Sequence, residues 1–240
     1  MCSKCQEAPI GRRDILKYGV ASLVAMGLGT GSRAAYAASG SATTLTPDEA
    51  LAALKSGNER YLNDPQVCTL ELAKRREEVA PHQAPWATII SCADSRVPPE
   101  LIFGGLGLGE LFVARNAGNL VDTATLGTVE YGAVVLGSPL IVVLAHTRCG
   151  AVAAACNVVT ENATYPGSIG PMINPILPAA IAVKSEAGDF VTNATKESAR
   201  RTAAHLTASS SLIKDLADAG KLKIVAALYD VDTGMVSYLN

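Results

Sequence analysis

The chain has no excess of charge of either sign. Twenty basic and 22 acidic residues leave a formal net charge of −2. The Lys and Arg residues are scattered rather than clustered, which argues against a nucleic-acid partner. Beyond the N-terminus there is no uncharged apolar run of about 18 residues, so no membrane-spanning helix is expected in a mature form. There is also no internal repeat and no low-complexity segment, which sets aside repeat architectures and disordered tracts. What the chain does have is apolar: 49% hydrophobic residues against 18% charged. Over 240 residues this suits one domain of ordinary size with a real core.

The first 37 residues read as a leader. Gly11-Arg12-Arg13-Asp14-Ile15-Leu16-Lys17 resembles the twin-arginine export signal. A weakly apolar segment, Tyr18–Thr30, follows, and small residues end in Ala35-Tyr36-Ala37, an A-x-A cleavage pattern. Cys5 is not preceded by an apolar lipobox, so a lipid anchor is not expected. The expected destination is the periplasm, reached already folded and free of the membrane. Cleavage removes Cys2 and Cys5 and leaves Cys68, Cys92, Cys149 and Cys156. In an oxidising compartment four thiols would ordinarily suggest disulfides, but thiolates already bound to a metal are masked.

In the mature chain, Thr46-Pro47-Asp48-Glu49 opens a helix, with an N-cap, a proline in the first turn and early acids. Gly57-Asn58-Glu59-Arg60-Tyr61 punctuates it. A second helix is expected from about Leu70 to Val79. These helices precede the first core strand and read as an arm, residues 38–87, ahead of an α/β core, residues 88–240. Core strands are expected at Thr88–Ser91, Leu111–Arg115 and Leu140–Ala145. Helices are expected at Thr123–Leu136, Ala151–Val159, Ile176–Ser185 and Phe190–Ala219, with a loop over Thr160–Pro175. The chain ends in a strand, Lys221–Tyr229, a turn at Asp232-Thr233-Gly234, and a short edge strand. The βαβ rhythm predicts a central, mostly parallel sheet flanked by helices.

The chemistry gathers at two strand ends. The apolar run Ala87–Ile90 delivers Ser91-Cys92-Ala93-Asp94-Ser95-Arg96, and Leu140–Ala145 delivers His146-Thr147-Arg148-Cys149-Gly150. An extended backbone would point Cys92, Asp94 and Arg96 the same way. Cys92, His146 and Cys149 make a Cys₂His zinc set whose fourth position stays open to water. Two thiolates and one imidazole nearly neutralise the ion, so a zinc-bound hydroxide nucleophile would form at mildly alkaline pH. Asp94 can orient that hydroxide, and Arg96 can hold Asp94 by a bidentate bond. Gly150 lets the backbone turn at once into the next helix.

These motifs resemble those of the β-class carbonic anhydrases. The family's Cys-x-Asp-x-Arg falls on Cys92, Asp94 and Arg96, and its His-x-x-Cys on His146 and Cys149. Gly57–Tyr61, Gly109–Asn119 and Tyr229–Gly234 agree as well, so the likeness runs from about residue 46 to the end. It implies reversible hydration of carbon dioxide to bicarbonate and a proton, with one zinc per subunit. It also implies a homodimer, or a higher even oligomer, with sites at the interface. Asp94 would be a zinc ligand only in a closed resting state. Gln83 matches the plant-like subgroup's Gln-x-Pro and would donate a hydrogen bond to a substrate oxygen. Phe112 and Tyr131 match apolar pocket walls, Gly150 leaves room beside the zinc, and Ala117 stands where a larger residue is usual. The family's usual Gly-His-Ser-x-Cys-Gly is Ala145–Gly150 here, with Arg148 adding a charge at the rim.

The same scaffold could serve a hydrolase of carbonyl sulfide or carbon disulfide, or a non-catalytic zinc or bicarbonate sensor. Asp94, Arg96 and Gln83 argue against the sensor, because a structural site needs none of them. The leader is tested by changing Arg12 and Arg13 together to Lys. Cell fractionation is expected to find the precursor retained in the cytoplasm, and normal export of the variant would sink the twin-arginine reading.

Overall fold

The structure is a computed structural model that describes residues 42–64 and 72–239. The leader, the expected helix start at Leu70, and Cys2, Cys5 and Cys68 lie outside these residues. Helix α1 (Pro47–Asn63) begins as expected. The Thr46 hydroxyl accepts from Glu49 N at 3.3 Å, and the Glu49 carboxylate accepts from Thr46 N at 2.8 Å. The helix runs through Gly57 rather than pausing there. Gly57 is instead a contact residue: a Cβ on it would lie 2.1 Å from the Phe103 carbonyl oxygen.

The elements that follow are α2 (Leu72–Val79), β1 (Ala87–Cys92), α3 (Pro99–Ile102), β2 (Leu111–Asn116), α4 (Thr123–Glu130), β3 (Leu140–His146) and α5 (Gly150–Glu161). Then come α6 (Ile169–Ile173), α7 (Leu177–Ala182), α8 (Phe190–Ser209), α9 (Ser211–Asp218), β4 (Lys223–Tyr229) and β5 (Val236–Leu239). Three expectations change. The helix expected over Thr123–Leu136 widens after Glu130 into a π turn, Tyr131–Val135, closed by Leu136 N donating to Tyr131 O at 3.1 Å. The expected loop over Thr160–Pro175 contains α6, because prolines in a first helical turn forfeit no helical hydrogen bond. The single helix expected over Phe190–Ala219 breaks at Ser210. That residue is extended, and its hydroxyl accepts from Ile213 N at 3.2 Å to cap α9.

Among the described residues the sheet has five strands in the order β2-β1-β3-β4-β5. The first four are parallel and β5 pairs antiparallel with β4. β1 and β3 are buried along their whole lengths, as strands covered on both faces must be. Alternate residues separate the two faces. Ile89, Leu140, Val142 and Leu144 pack with Ala50 and Leu54 of α1 and with Phe103. Ile90, Ile141, Val143 and Ala145 pack with Ala199 and Leu206 of α8 and Ile213 of α9. A further buried cluster sits past the strand ends: Cys92 and Cys149 with Val152 and Ala155 of α5, Ile176, and Ala194 of α8.

The chain steps from β1 outward to β2, then back across β1 to β3, and on to β4. The direction of crossing therefore reverses between β1 and β3. Such a reversal leaves a crevice outside the carboxyl ends of the two strands, where sites in open α/β sheets form.

Asn58 ties this scaffold together. Its Nδ2 donates to Ile102 O at 3.1 Å and to Gly234 O at 2.9 Å, and its Oδ1 accepts from Val236 N at 2.9 Å. Replacing it with Ala leaves two carbonyls and an amide unpaired in a buried site. Asn58→Ala is expected to cost about 3 kcal/mol in a denaturant titration. A loss under about 1 kcal/mol would mean that water replaces the side chain without penalty.

Candidate metal centre

β1 ends on Cys92 and β3, its neighbour in the sheet, ends on His146. Cys149 follows at the N-cap of α5. The two sulfurs and a ring nitrogen of His146 lie within 4.8 Å of one another, with the sulfurs 4.0 Å apart. The three residues are only 4%, 0% and 1% exposed for Cys92, His146 and Cys149.

The imidazole is prepared as a ligand. His146 Nδ1 is 2.9 Å from the Thr147 carbonyl, which can only accept, so Nδ1 carries the proton and Nε2 the lone pair. Nε2 is buried and has no hydrogen-bond partner among the described residues. A buried acceptor left unpaired costs about 1–3 kcal/mol, a cost that a cation removes. Two sulfurs and one imidazole nitrogen at this spacing are a donor set that fits zinc.

The thiols are electrostatically unequal without a cation. The Cys149 thiol, 4.0 Å from the Cys92 sulfur, holds Cys92 below the usual thiol range, against the effect of burial. The Gly118 amide, 3.4 Å from the same sulfur, helps. Cys149 is pushed far up, because its hydrogen is committed to Cys92 and a second buried thiolate would face the first. The amides at the start of α5 pull it the other way. Cys156, a free buried thiol in the same cluster, is pushed up to about 11 by burial.

Asp94 and Arg96 meet, but not through strand alternation. The strand stops at Cys92 and the chain turns, with Val97 N donating to Asp94 O at 3.0 Å. Within that turn Asp94 Oδ1 accepts from Arg96 N and from Arg96 Nε, both at 2.9 Å, and Oδ2 accepts from Nη2 at 2.7 Å. This fork holds the Asp94 carboxyl well below the usual carboxylate range. Asp94 Oδ2 is 3.9 Å from His146 Nε2, so the carboxylate borders the cluster while bonded to Arg96.

Several supporting residues were not singled out as site residues from the sequence. Arg115, at the end of β2, donates from Nε to Cys92 O at 2.8 Å and from Nη2 to Asp94 O at 2.7 Å. It fixes the backbone on both sides of Ala93. Thr147 Oγ1 accepts from Val231 N at 3.0 Å, and Arg148 pairs with Asp232 at 2.8 Å. The positive φ at the His146–Gly150 turn belongs to Arg148, at 58°, and not to Gly150, which starts α5 with open space around its Cβ position. An arginine in a matching motif gave no local signal for these contacts, because each partner is distant in sequence.

The expected pocket residues divide. Ala117 precedes Gly118, whose amide touches Cys92, and Gly150 follows Cys149, so both border the cluster. Phe112 and Tyr131 form a ring pair with centroids 6.1 Å apart. Phe112 is in register with Thr88, four residues before Cys92, or about 13 Å along the strand. Gln83 is exposed, ahead of β1. These three are not brought to the cysteines of their own chain.

The sequence profile of the carbonic anhydrase family matches residues 87–236. Carbonic anhydrase 2 of Mycobacterium tuberculosis is 37% identical over 188 residues, covering 78% of this chain and 90% of that one. The carbonic anhydrase of Mycolicibacterium smegmatis is 34% identical over 190 residues, covering 79% and 92%. Among solved structures, the Coccomyxa β-carbonic anhydrase in complex with acetazolamide aligns with a TM-score of 0.61 at 25% identity, covering 82% of this chain and 87% of that one. An Aspergillus fumigatus β-carbonic anhydrase aligns at 0.65 with 24% identity, covering 79% and 90%, a likeness of fold.

The unequal thiols predict the proton balance of metal uptake. Cys92 is held below the usual thiol range and Cys149 above it, so the proton that zinc displaces comes chiefly from Cys149. Calorimetry at pH 8 in buffers of different ionisation enthalpy is expected to find about one proton released by the thiol pair. A release near two would show two independent thiols.

Proposed function

Because the chain belongs to the carbonic anhydrase family, in its β class, we infer that it catalyses the reversible hydration of carbon dioxide to bicarbonate and a proton. As a zinc enzyme it would hold the metal with Cys92, His146 and Cys149. The observation that carries the reading is this buried set beside a carboxylate that Arg96 holds in a fork. Bound there, zinc supplies a water acidified enough to act as nucleophile.

The chain's own residues do the rest. Asp94 stays ionised and has acceptor positions beyond those that Arg96 occupies. It takes a hydrogen bond from the attacking water and so aims the oxygen at the carbon. Arg96 keeps Asp94 from swinging onto the metal in a closed resting state. The burial of Cys92, His146 and Cys149 keeps bulk water off the ligand atoms, which strengthens their interaction with a cation.

The pocket is completed by a second copy. Gln83 donates to a substrate oxygen, Phe112 and Tyr131 form apolar walls, and Ala117 and Gly150 leave room beside the metal. A homodimer, or a higher even oligomer, is supported by the place of Phe112 on the edge strand β2, away from its own chain's cysteines. Gln83 supports a plant-like pocket. The leader supports export by the twin-arginine route to the periplasm, where the mature arm and core work free of the membrane.

The test is stopped-flow carbon dioxide hydration on the mature protein with its zinc content measured. Activity is expected to vanish on chelation and to return with zinc. Arg96→Ala is expected to lower kcat by more than roughly 10²-fold, the scale of losing one charge-stabilising group. Activity indifferent to zinc would sink the metal reading, and a near-normal rate in Arg96→Ala would remove Arg96 from the mechanism.

A further inference from the structure

The turn that carries His146 and Cys149 is tied to the end of β4 and the turn that follows it at three points. Thr147 N donates to Tyr229 O at 2.9 Å, and Val231 N donates to Thr147 Oγ1 at 3.0 Å. The third tie is ionic, Arg148 Nη2 to Asp232 Oδ2 at 2.8 Å. The β4–β5 turn is itself braced. Asp230 Oδ1 accepts from Asp232 N at 2.8 Å and from Thr233 N at 3.2 Å, and Gly234 N donates to Asp230 O at 2.8 Å. Asp232 is therefore a firm anchor for whatever reaches it.

Arg148 stands at φ 58°, a left-handed conformation that carries a steric cost for any residue with a Cβ. In this conformation its carbonyl accepts from Arg96 Nη2 at 3.4 Å, the nitrogen that also holds Asp94 Oδ2 at 2.7 Å. Arg96 thus sits between the Asp94 carboxylate and the Arg148 backbone. The side chains of Arg148 and Asp232 are 66% and 53% exposed, so as an ordinary surface pair they would add little to the stability of the fold.

We propose that the Arg148–Asp232 pair is a positioning device for the metal site. The pair holds the His146–Cys149 turn in its left-handed conformation, and through the Arg148 carbonyl it keeps Arg96 seated on Asp94. The catalytic consequence rests on the function inferred above; the consequence for metal binding does not.

The experiment compares Arg148→Ala, Arg148→Gly and Asp232→Asn in the mature protein. Zinc affinity is measured by chelator competition, alongside the denaturation midpoint, kcat and KM. Arg201→Ala, which breaks an exposed pair with Glu197, is the control for loss of a surface ion pair. Arg148→Ala and Asp232→Asn are expected to bind zinc about tenfold more weakly, the low end for groups that orient metal ligands. Their kcat is expected to fall with KM within about twofold and the midpoint close to wild type. Arg148→Gly is expected to bind zinc within about twofold of wild type, because glycine adopts a positive φ unaided. If Arg148→Ala and Asp232→Asn match Arg201→Ala in every readout, the pair is a surface salt bridge and the proposal is wrong. If Arg148→Gly binds zinc as weakly as Arg148→Ala, the side chain does not act through the backbone and the proposal is equally wrong. Should wild type fail to hydrate carbon dioxide while the zinc affinities follow the expected order, the positioning role stands and the function inferred above falls.

Discussion

Two thiol sulfurs 4.0 Å apart and an unprotonated imidazole nitrogen, all buried, make an arrangement that a protein interior tolerates poorly on its own. Both sulfurs cannot ionise together in a buried site without a cation between them. A divalent ion removes that conflict and pairs the orphaned nitrogen at the same time. Much of the surrounding structure serves this cluster. β1 and β3 stop side by side where the crossing direction reverses, which brings Cys92 and His146 together from residues more than 50 positions apart. Burial of both strands on both faces makes their ends rigid, as a metal site requires.

Beyond the strand ends the backbone is irregular, and polar side chains there do the work of a ladder. Arg115 takes the carbonyls of Cys92 and Asp94, and Thr147 is bonded to β4 and to Val231 beyond it. These contacts leave the Asp94 carboxylate one partner of matching shape, the Arg96 fork. A negative cluster and a carboxylate 3.9 Å from its imidazole would otherwise compete for the same cation. In the structure the carboxylate is held by the Arg96 fork through charge-assisted hydrogen bonds.

The sequence made the sheet and the ligands legible because both are written locally. Unbroken apolar runs end in a thiol at Cys92 and an imidazole at His146, and the mostly parallel sheet follows from the βαβ rhythm. Boundaries blurred where a side chain's role was tertiary. Gly57 looks like a helix break but is a contact with Phe103, and Ser210 looks like helix interior but caps α9. The alternation of Cys92, Asp94 and Arg96 suggests an extended strand through all three, whereas the turn at Val97 joins the last two. Arg115 and Asp232 stayed hidden as site residues, because an arginine at a strand end and an aspartate in a turn have no local pattern that names a partner.

The central claim is that the Arg96 side chain keeps Asp94 from the metal. A crystal structure of the zinc-loaded Arg96→Ala variant at a pH above about 8 tests it most directly, since thiolate-rich zinc acidifies its water less than zinc held by neutral imidazoles. The account predicts that the Asp94 carboxylate will have moved onto the zinc, filling the fourth position beside Cys92, His146 and Cys149. Asp94 still in its present place, with water on the metal, would contradict it.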